Sequence, residues 1–425
     1  MAIARLCSAL LGVLILGSPV DAQGGLPSRI VFLIMDDVGA DTLAQVDTPN
    51  IDALALAGLQ FRRAYSHPWC KPSRDSLFRG TFAGVARGDS CQPADDRALD
   101  ADQGTYVDAL RAAGYLTGVV GKWHLGRSRF VDGVGAGRTV RKNSKDIPWW
   151  FAPHAVGFDH WWGGVSTSVV GPCAPSGNTH DDGVFYTAGS HPTIVQRNAL
   201  FSLMDEADSL GKPLFAWVGF TDAHAPWSLP PARILPAGYV PPPFPSPTDL
   251  YQAEVMALDF VIGQIMRRMP PDAWLVVMSE NGTPMQVTSN PATTRAKATV
   301  WERGVHVPLI FHGGGLSPGT CDDPVQLYDL PATILDSLGL IGPRGMGRNL
   351  LASAPSNPFA YVRNPTPGVN QSRAIIENRY KLIDHVARGL EFYDLQADPL
   401  ELSPLPLVGA DYLRLQSRLD QLPGY

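Results

Sequence analysis

Ile30-Val31-Phe32-Leu33-Ile34-Met35-Asp36-Asp37 decides the fold class: six apolar residues in a row, closed by two carboxylates. A continuous apolar run, as opposed to an alternating one, is the mark of a strand in a sheet covered on both faces. Four more runs follow the same plan. Leu116 to Val120 leads into Gly121-Lys122-Trp123-His124, Leu214 to Phe220 into Thr221-Asp222-Ala223-His224, and Trp274 to Met278 into Ser279-Glu280-Asn281-Gly282. Val305 to Phe311 is preceded by Lys297 and Glu302. Helical patterns lie between them, at Thr48 to Leu59, Thr105 to Ala113, Ile194 to Leu210, Leu250 to Met269 and Val325 to Leu338. Alternating strands and helices imply an α/β protein, a large and mostly parallel sheet sandwiched by helices. Such sheets bind ligands beyond the carboxyl ends of their strands. Charged, imidazole and amide groups stand at those ends in four separate segments, which a shared site explains better than four independent loops do.

The chain is 45% hydrophobic over 425 residues, enough for one large domain and a smaller one. A net charge of -6 gives no ground for a nucleic-acid partner. Residues 1–22 read as a secretory signal: Arg5 supplies the positive start, Leu6 to Leu16 the apolar centre, and Val20 and Ala22 the small residues before a cut at Gln23. That centre is short for a membrane anchor, and no other run is long enough to form a stable span. The expected location is therefore exported, periplasmic or secreted, or lysosomal in a eukaryote. Four cysteines would remain, and an oxidising compartment favours disulfides. A Cys91–Cys173 bridge is the pairing expected. Residues 23–345 form the expected main domain. Within it, the proline-rich stretch from Pro226 to Pro247 reads as a surface excursion, either a pocket wall or lid or a plain connector. Residues 346–425 read as a small C-terminal α+β subdomain. Its antiparallel strands include Ala374-Ile375-Ile376 and Tyr380-Lys381-Leu382-Ile383, and a helix near Ala410 to Leu422 closes it.

The run Cys70-Lys71-Pro72-Ser73-Arg74 carries a second signal. Pro72 presets the dihedral of a first helical turn, so Cys70 falls at or just before a helix N-terminus, where backbone N–H groups favour anions. Arg74 lies one turn later on the same face. Taken alone, the pattern also suits a buried structural cysteine. Asp36, Asp37, Glu280 and Asn281 offer hard oxygen ligands suited to Ca²⁺ or Mg²⁺. Adjacent carboxylates repel unless a cation or salt bridge offsets them, although a helix-capping pair is the plainer reading of Asp36-Asp37. Lys122, His124, His224 and Lys297, with Arg74, then complete a pocket for a tetrahedral oxyanion, which points to hydrolysis of a sulfate or phosphate ester.

With these residues in view, the chain resembles the formylglycine-dependent sulfatases of the alkaline phosphatase superfamily. Cys70-Lys71-Pro72-Ser73-Arg74 matches the family's Cys-x-Pro-Ser-Arg signature, and Gly121 to Gly126 matches its second motif. Gly157-Phe158-Asp159, Asp222-Ala223-His224-Ala225-Pro226, Glu302-Arg303-Gly304 before Val307-Pro308-Leu309-Ile310, Tyr380-Lys381-Leu382-Ile383, Tyr393-Asp394-Leu395 and Asp398-Pro399 follow in family order. The resemblance implies an alkaline-phosphatase-like fold and a sulfuric ester hydrolase. It implies that a formylglycine-generating enzyme oxidises Cys70 to an aldehyde, whose hydrate attacks sulfur with one hydroxyl and expels sulfate through the other. By the same resemblance Arg74 and Lys122 hold the hydrate and the sulfate oxygens, and His124 helps deprotonate the second hydroxyl. His224 and Lys297 bind sulfate, and His224 protonates the leaving oxygen. Asp36, Asp37, Glu280, Asn281 and the modified Cys70 would hold the cation, Ca²⁺ or, as an alternative, Mg²⁺.

One position departs from the family pattern, which has Asp-Asn-Gly where this chain has Glu280-Asn281-Gly282. The longer carboxylate has three options: to bind from a shifted backbone, to bind bidentately, or to swing away. Asn281-Gly282-Thr283 is also a glycosylation sequon, read as accidental because a buried ligand carries no glycan. Trp149-Trp150-Phe151 and Trp161-Trp162 suit either a platform for a substrate ring or packing of a subdomain. His67 and Trp69 are expected in the pocket wall. The expected substrate is a sulfated saccharide or small molecule, a carbohydrate sulfate ahead of an aryl sulfate. The competing readings are a phosphonate monoester or phosphodiester hydrolase with the same machinery, and an inactive sulfate-ester-binding homologue.

Overall fold

The fold is that of a computed structural model, which describes residues 26–82, 104–125, 152–164, 180–181, 191–288, 294–353, 358–364 and 370–424. The signal segment, Cys91, Cys173, Trp149, Trp150 and Phe151 lie outside the described residues. In chain order the strands are β1 (Arg29–Met35), β2 (Leu59–Phe61), β3 (Ala64–Tyr65), β4 (Leu116–Lys122), β5 (His160–Gly164) and β6 (His180–Asp181). They continue with β7 (Leu214–Gly219), β8 (Trp274–Ser279), β9 (His306–Val307), β10 (Leu309–Gly313), β11 (Gly319–Cys321) and β12 (Val325–Gln326). The last four are β13 (Phe359–Asn364), β14 (Ser372–Glu377), β15 (Tyr380–His385) and β16 (Gly389–Asp394).

Nine strands form the main sheet, in the order β11-β2-β10-β8-β1-β7-β4-β5-β6. Its centre, β8-β1-β7-β4-β5, is parallel throughout. Strand β1 occupies the middle, and Ile30 to Met35 are all fully buried. Their side chains alternate between two cores. Ile30, Phe32 and Ile34 join Trp217, Val276 and Met278 on one face, while Val31, Leu33 and Met35 join Val218, Leu275 and Val277 on the other. Each such side chain, fully buried, contributes roughly 1.5–3 kcal/mol. The helices Pro192–Leu210 and Pro247–Met266 supply residues to the second core, and Tyr106–Ala112 and Leu330–Leu338 to the first. The chain is thus an α/β sandwich, as the continuous apolar runs require.

Two segments differ from the sequence reading. The run from Val305 to Phe311 is not one strand. It divides into a short helix, Glu302–Val305, then β9 in a small three-stranded sheet and β10 in the main sheet. Pro308 sits at the division and has no N–H to give to a ladder. Strand β10 also runs antiparallel to both β8 and β2. The pattern from Val325 to Leu338 begins as strand β12 and a 3₁₀ turn, Leu327–Asp329, before the helix Leu330–Leu338 starts with Pro331 in its first turn.

Towards the C-terminus, β13-β14-β15-β16 form an antiparallel sheet, and the helix Ala410–Leu419 packs on it through Tyr412, Leu415 and Leu419. Lys381 of β15 joins this sheet to the main body. Its buried Nζ lies 2.9 Å from Glu302 Oε1 and 2.9 Å from Glu401 Oε1, and Glu401 Oε2 accepts the Glu302 N–H at 2.6 Å.

Candidate active site

The parallel register delivers four strand ends to one edge. Ile34 is level with Gly219, Met35 with Ser279, and Gly121 with Gly219. Asp36 and Asp37, Lys122 to His124, Asp222 to His224, and Glu280 and Asn281 therefore emerge side by side. Backbone bonds fix them there: the Asp36 N–H donates to Asp222 O (3.1 Å), Ala223 N–H to Asp36 O (2.9 Å), and Glu280 N–H to Met35 O (3.3 Å). A fifth element enters from the side. Cys70 is the first residue of the helix Cys70–Arg79, after an extended Trp69. A sixth is the loop at Lys297, whose N–H donates to Thr283 O at 2.9 Å, while Ala298 N–H donates to Pro68 O at 3.0 Å. Asp37, His124 and Ala298 carry positive φ (63°, 59° and 75°), a conformation most side chains resist and one held here by the surrounding packing. Gly219 is needed for another reason: a Cβ there would stand 2.3 Å from Lys122 O and 2.6 Å from Arg74 Nη1.

Ligand-type atoms of Asp36, Asp37, Cys70 and His224 lie within 4.8 Å of one another. Asn281 Nδ2 donates to Asp37 Oδ1 at 2.7 Å, which leaves its buried Oδ1 without a hydrogen-bond partner. Two carboxylates and an orphaned amide oxygen fit a hard divalent cation. Asn281 is fully buried, so its sequon is not a glycan site. Three cations surround the group. Lys122 Nζ donates to Asp36 Oδ2 at 2.6 Å, and Lys297 Nζ pairs with Asp37 Oδ1 at 2.5 Å and donates to Cys70 Sγ at 3.5 Å. Arg74 Nη1 donates to Lys122 O at 2.5 Å, and its Nη2 is buried without a partner. Glu280, expected among the ligands, is directed elsewhere: its Oε2 pairs with Arg74 Nε and its Oε1 accepts from Lys122 Nζ at 3.1 Å.

His224 Nδ1 lies 2.6 Å from Ala225 O, an acceptor only, so Nδ1 carries the proton and Nε2 faces Asp37 Oδ2 at 3.9 Å. His124 is half-buried, and its Nδ1 is buried without a hydrogen-bond partner. Burial, then the charge of Lys122, drives its pKa well below the usual imidazole value, which keeps it neutral. Burial raises the Asp36 carboxyl, but Lys122, His224 and Lys297 outweigh it and hold the group below the ordinary range. Burial also pushes the Cys70 thiol far up, against the pull of Lys122 and Lys297. A plain thiol here stays protonated and unreactive.

Residues 28–340 match the family model for sulfatases. The chain belongs to the sulfatase family. It is 26% identical to mouse arylsulfatase J over 74% of this chain and 57% of that one, and 26% identical to human N-acetylgalactosamine-6-sulfatase over 92% and 84%. The solved structure of Ps i-CgsB superposes with a TM-score of 0.76 at 19% identity, over 93% of this chain and 92% of that one, a likeness of fold. Against mouse arylsulfatase J, human arylsulfatase G and bovine arylsulfatase A, the chain spans 57, 62 and 63% of the relative's length. All ten residues expected in the site stand in this one region.

The aromatic expectations resolve differently. Trp161 is fully buried and Trp162 is 7% exposed, each within a core, so these two pack and form no platform. His67 is 2% exposed and turned to the Arg363 backbone, and burial followed by the Arg363 charge pushes it down to about 3. Trp69 is half-buried, and its Nε1 donates to Asn364 Oδ1 at 3.1 Å. Asn364 in turn donates to Ala298 O at 2.8 Å, beside Lys297. That residue carried no signal in the sequence, because its role comes from a sheet nearly 300 residues away from Trp69. Among the described residues, Cys70 and Cys321 form no disulfide.

Proposed function

We propose that the protein is a sulfatase that hydrolyses the S–O bond of a sulfate monoester, a carbohydrate sulfate ahead of an aryl sulfate. One observation carries this reading: Cys70, two carboxylates and His224 converge within 4.8 Å, inside a ring of Arg74, Lys122 and Lys297. A second supports the choice of substrate, since a relative aligned over most of its length is named for N-acetylgalactosamine 6-sulfate.

In this reading Cys70 is converted to formylglycine by a generating enzyme, and its hydrate supplies the nucleophilic hydroxyl. Asp36, Asp37, Asn281 and residue 70 would hold Ca²⁺, or Mg²⁺, which would supply positive charge to offset that on the sulfate. The chain's own groups do the rest. Arg74 Nη2 and Lys297 Nζ bind sulfate oxygens, and Lys122 fixes the position of residue 70 through Asp36. Neutral His124 is fit to accept a proton from a hydroxyl of the hydrate. His224, with its Nδ1–H held by Ala225 O, would donate to the leaving oxygen from Nε2 in the doubly protonated imidazolium form. Cleavage of residues 1–22 and export accompany this role, as does a division into residues 23–345 and 346–425. No helix among the described residues is long and apolar enough to cross a membrane.

The test has two parts. Mass spectrometry of the Cys70 peptide, from protein made with a maturation enzyme, should show the aldehyde; an intact thiol overturns the mechanism. Sulfate esters should exceed phosphonate and phosphate diesters in kcat/KM; the reverse order would assign the second chemistry.

A further inference from the structure

We propose that Glu280 is a positioning residue for Arg74 and Lys122, and that it stands outside the ligand shell of the cation. The inference rests on the site being a cation-dependent sulfatase site and concerns how this chain builds it.

The carboxylate of Glu280 is fully committed. One oxygen pairs with Arg74 Nε and the other accepts from Lys122 Nζ at 3.1 Å, and all three side chains are 0% exposed. Its oxygens are absent from the group of ligand atoms formed by Asp36, Asp37, Cys70 and His224. The register explains the geometry. Strands β1 and β8 pair with Met35 level with Ser279, so Asp36 and Glu280 leave the sheet at the same height. Lys122 lies between them, bound to Asp36 at 2.6 Å. From that height, the additional methylene of glutamate extends the carboxylate by about 1.5 Å, enough to bridge two cations that an aspartate would reach singly.

The charges give the bridge a purpose. Arg74 and Lys122 are neighbours, tied by the bond from Nη1 to Lys122 O, and they repel each other in a site closed to water. A carboxylate between them offsets that repulsion and fixes both heads. Arg74 thereby keeps its Nη2 free for a substrate oxygen. The cation keeps Asp36, Asp37 and the orphaned Oδ1 of Asn281.

Calorimetric titration with Ca²⁺ tests the assignment. In Glu280→Gln, calcium affinity should stay within about threefold of wild type, while Asn281→Ala should lose roughly tenfold or more. With a sulfate ester, Glu280→Gln should lower kcat by ~10²-fold and move KM far less, because Arg74 and Lys122 lose their alignment on the reacting group. Glu280→Asp should show the same pattern, since the shorter side chain cannot span both cations. A calcium affinity in Glu280→Gln as weak as in Asn281→Ala overturns the proposal. Glu280→Gln leaves two buried cations poorly paired and can fail to fold, so a second measurement uses the wild type. In a calcium-soaked crystal, Glu280 should remain on Arg74 and Lys122; a carboxylate oxygen within about 2.6 Å of the ion overturns the assignment. Turnover of a sulfate ester by the wild type reports separately on the proposed function.

Discussion

Lys122 and Asp36 meet at 2.6 Å although 86 residues separate them, and neither side chain reaches solvent. The pair is possible because β4 and β1 flank β7 in parallel and end at one level. Burial opposes the charge on Lys122, yet the carboxylates of Asp36 and Glu280 more than offset it and raise the lysine pKa. The site is therefore a closed set of charges, in which removal of one member strands the others.

Lys122→Met follows directly. Taking one partner from a buried ion pair costs about 3–5 kcal/mol. The loss should be larger in a chelator than in calcium, because a cation at Asp36 and Asp37 would replace part of the missing positive charge. Thermal unfolding under both conditions measures this. An equal loss in both would mean that Lys122 and the cation do not share Asp36.

Asn281→Ala isolates the cation from the rest of the site. The amide oxygen has no protein partner to lose, but Nδ2 donates to Asp37 Oδ1 at 2.7 Å and to Gly282 O at 3.0 Å, so the variant without calcium should lose about 1–3 kcal/mol of stability. Wild type should gain about 2.7 kcal/mol when calcium is at 100 times its Kd, and the variant should need a higher concentration for the same gain. Calcium-dependent melting curves decide it. Identical curves for the two proteins would remove Asn281 from the ligand set.

Much of this was legible in the chain, for identifiable reasons. A strand covered on both faces leaves an uninterrupted apolar run, and the polar residues that end it mark the ligand-binding edge. Two late motifs, around Glu302 and Lys381, proved to share one ionic cluster with Glu401, just past Asp398-Pro399, which no single motif discloses. What stayed hidden depends on partners from other elements. The split at Pro308 follows from the competition of two sheets for one run. The direction of Glu280 is set by Arg74 and Lys122, more than 150 residues away in the chain for the nearer of the two. The burial of Trp161 is set by the core beneath it.

Cys70→Ala separates chemistry from architecture. The thiol makes only long contacts, 3.6 Å to Asp36 and 3.5 Å from Lys297. Its loss should cost about 1 kcal/mol of stability while turnover disappears. Circular dichroism, melting and a sulfate-ester assay together check this. A stability loss matching that of Lys122→Met would make Cys70 a structural residue.

Lys381→Met should loosen the C-terminal sheet and disturb the site together. The ammonium is fully buried between Glu302 and Glu401, and without it two carboxylates face each other. The expected cost is about 3–5 kcal/mol. Glu302 opens the short helix that follows the Lys297 loop, so hydrogen exchange should rise both in β13 to β16 and in residues 294–305. A rise confined to the sheet would show that the cluster docks the sheet without supporting Lys297.

Asp329 gives the protein a pH dependence away from the site. Burial pushes its carboxyl up to about 6, against backbone N–H donors at Arg348 and Gln326, both at 3.0 Å. The reference value is 3.8, so between the two values the folded chain holds more proton than the unfolded one. Stability from this group is then greatest below the lower value and declines as pH rises through the higher. A difference of about two units corresponds to roughly 3 kcal/mol. Asp329→Asn cannot titrate, although it exchanges one accepted hydrogen bond for a donor and starts out less stable at low pH. Between about pH 4 and pH 7, urea unfolding should show the wild type losing roughly 2–2.5 kcal/mol relative to the variant. A gap that stays constant across that range would mean that the buried carboxyl ionises as freely as an exposed one.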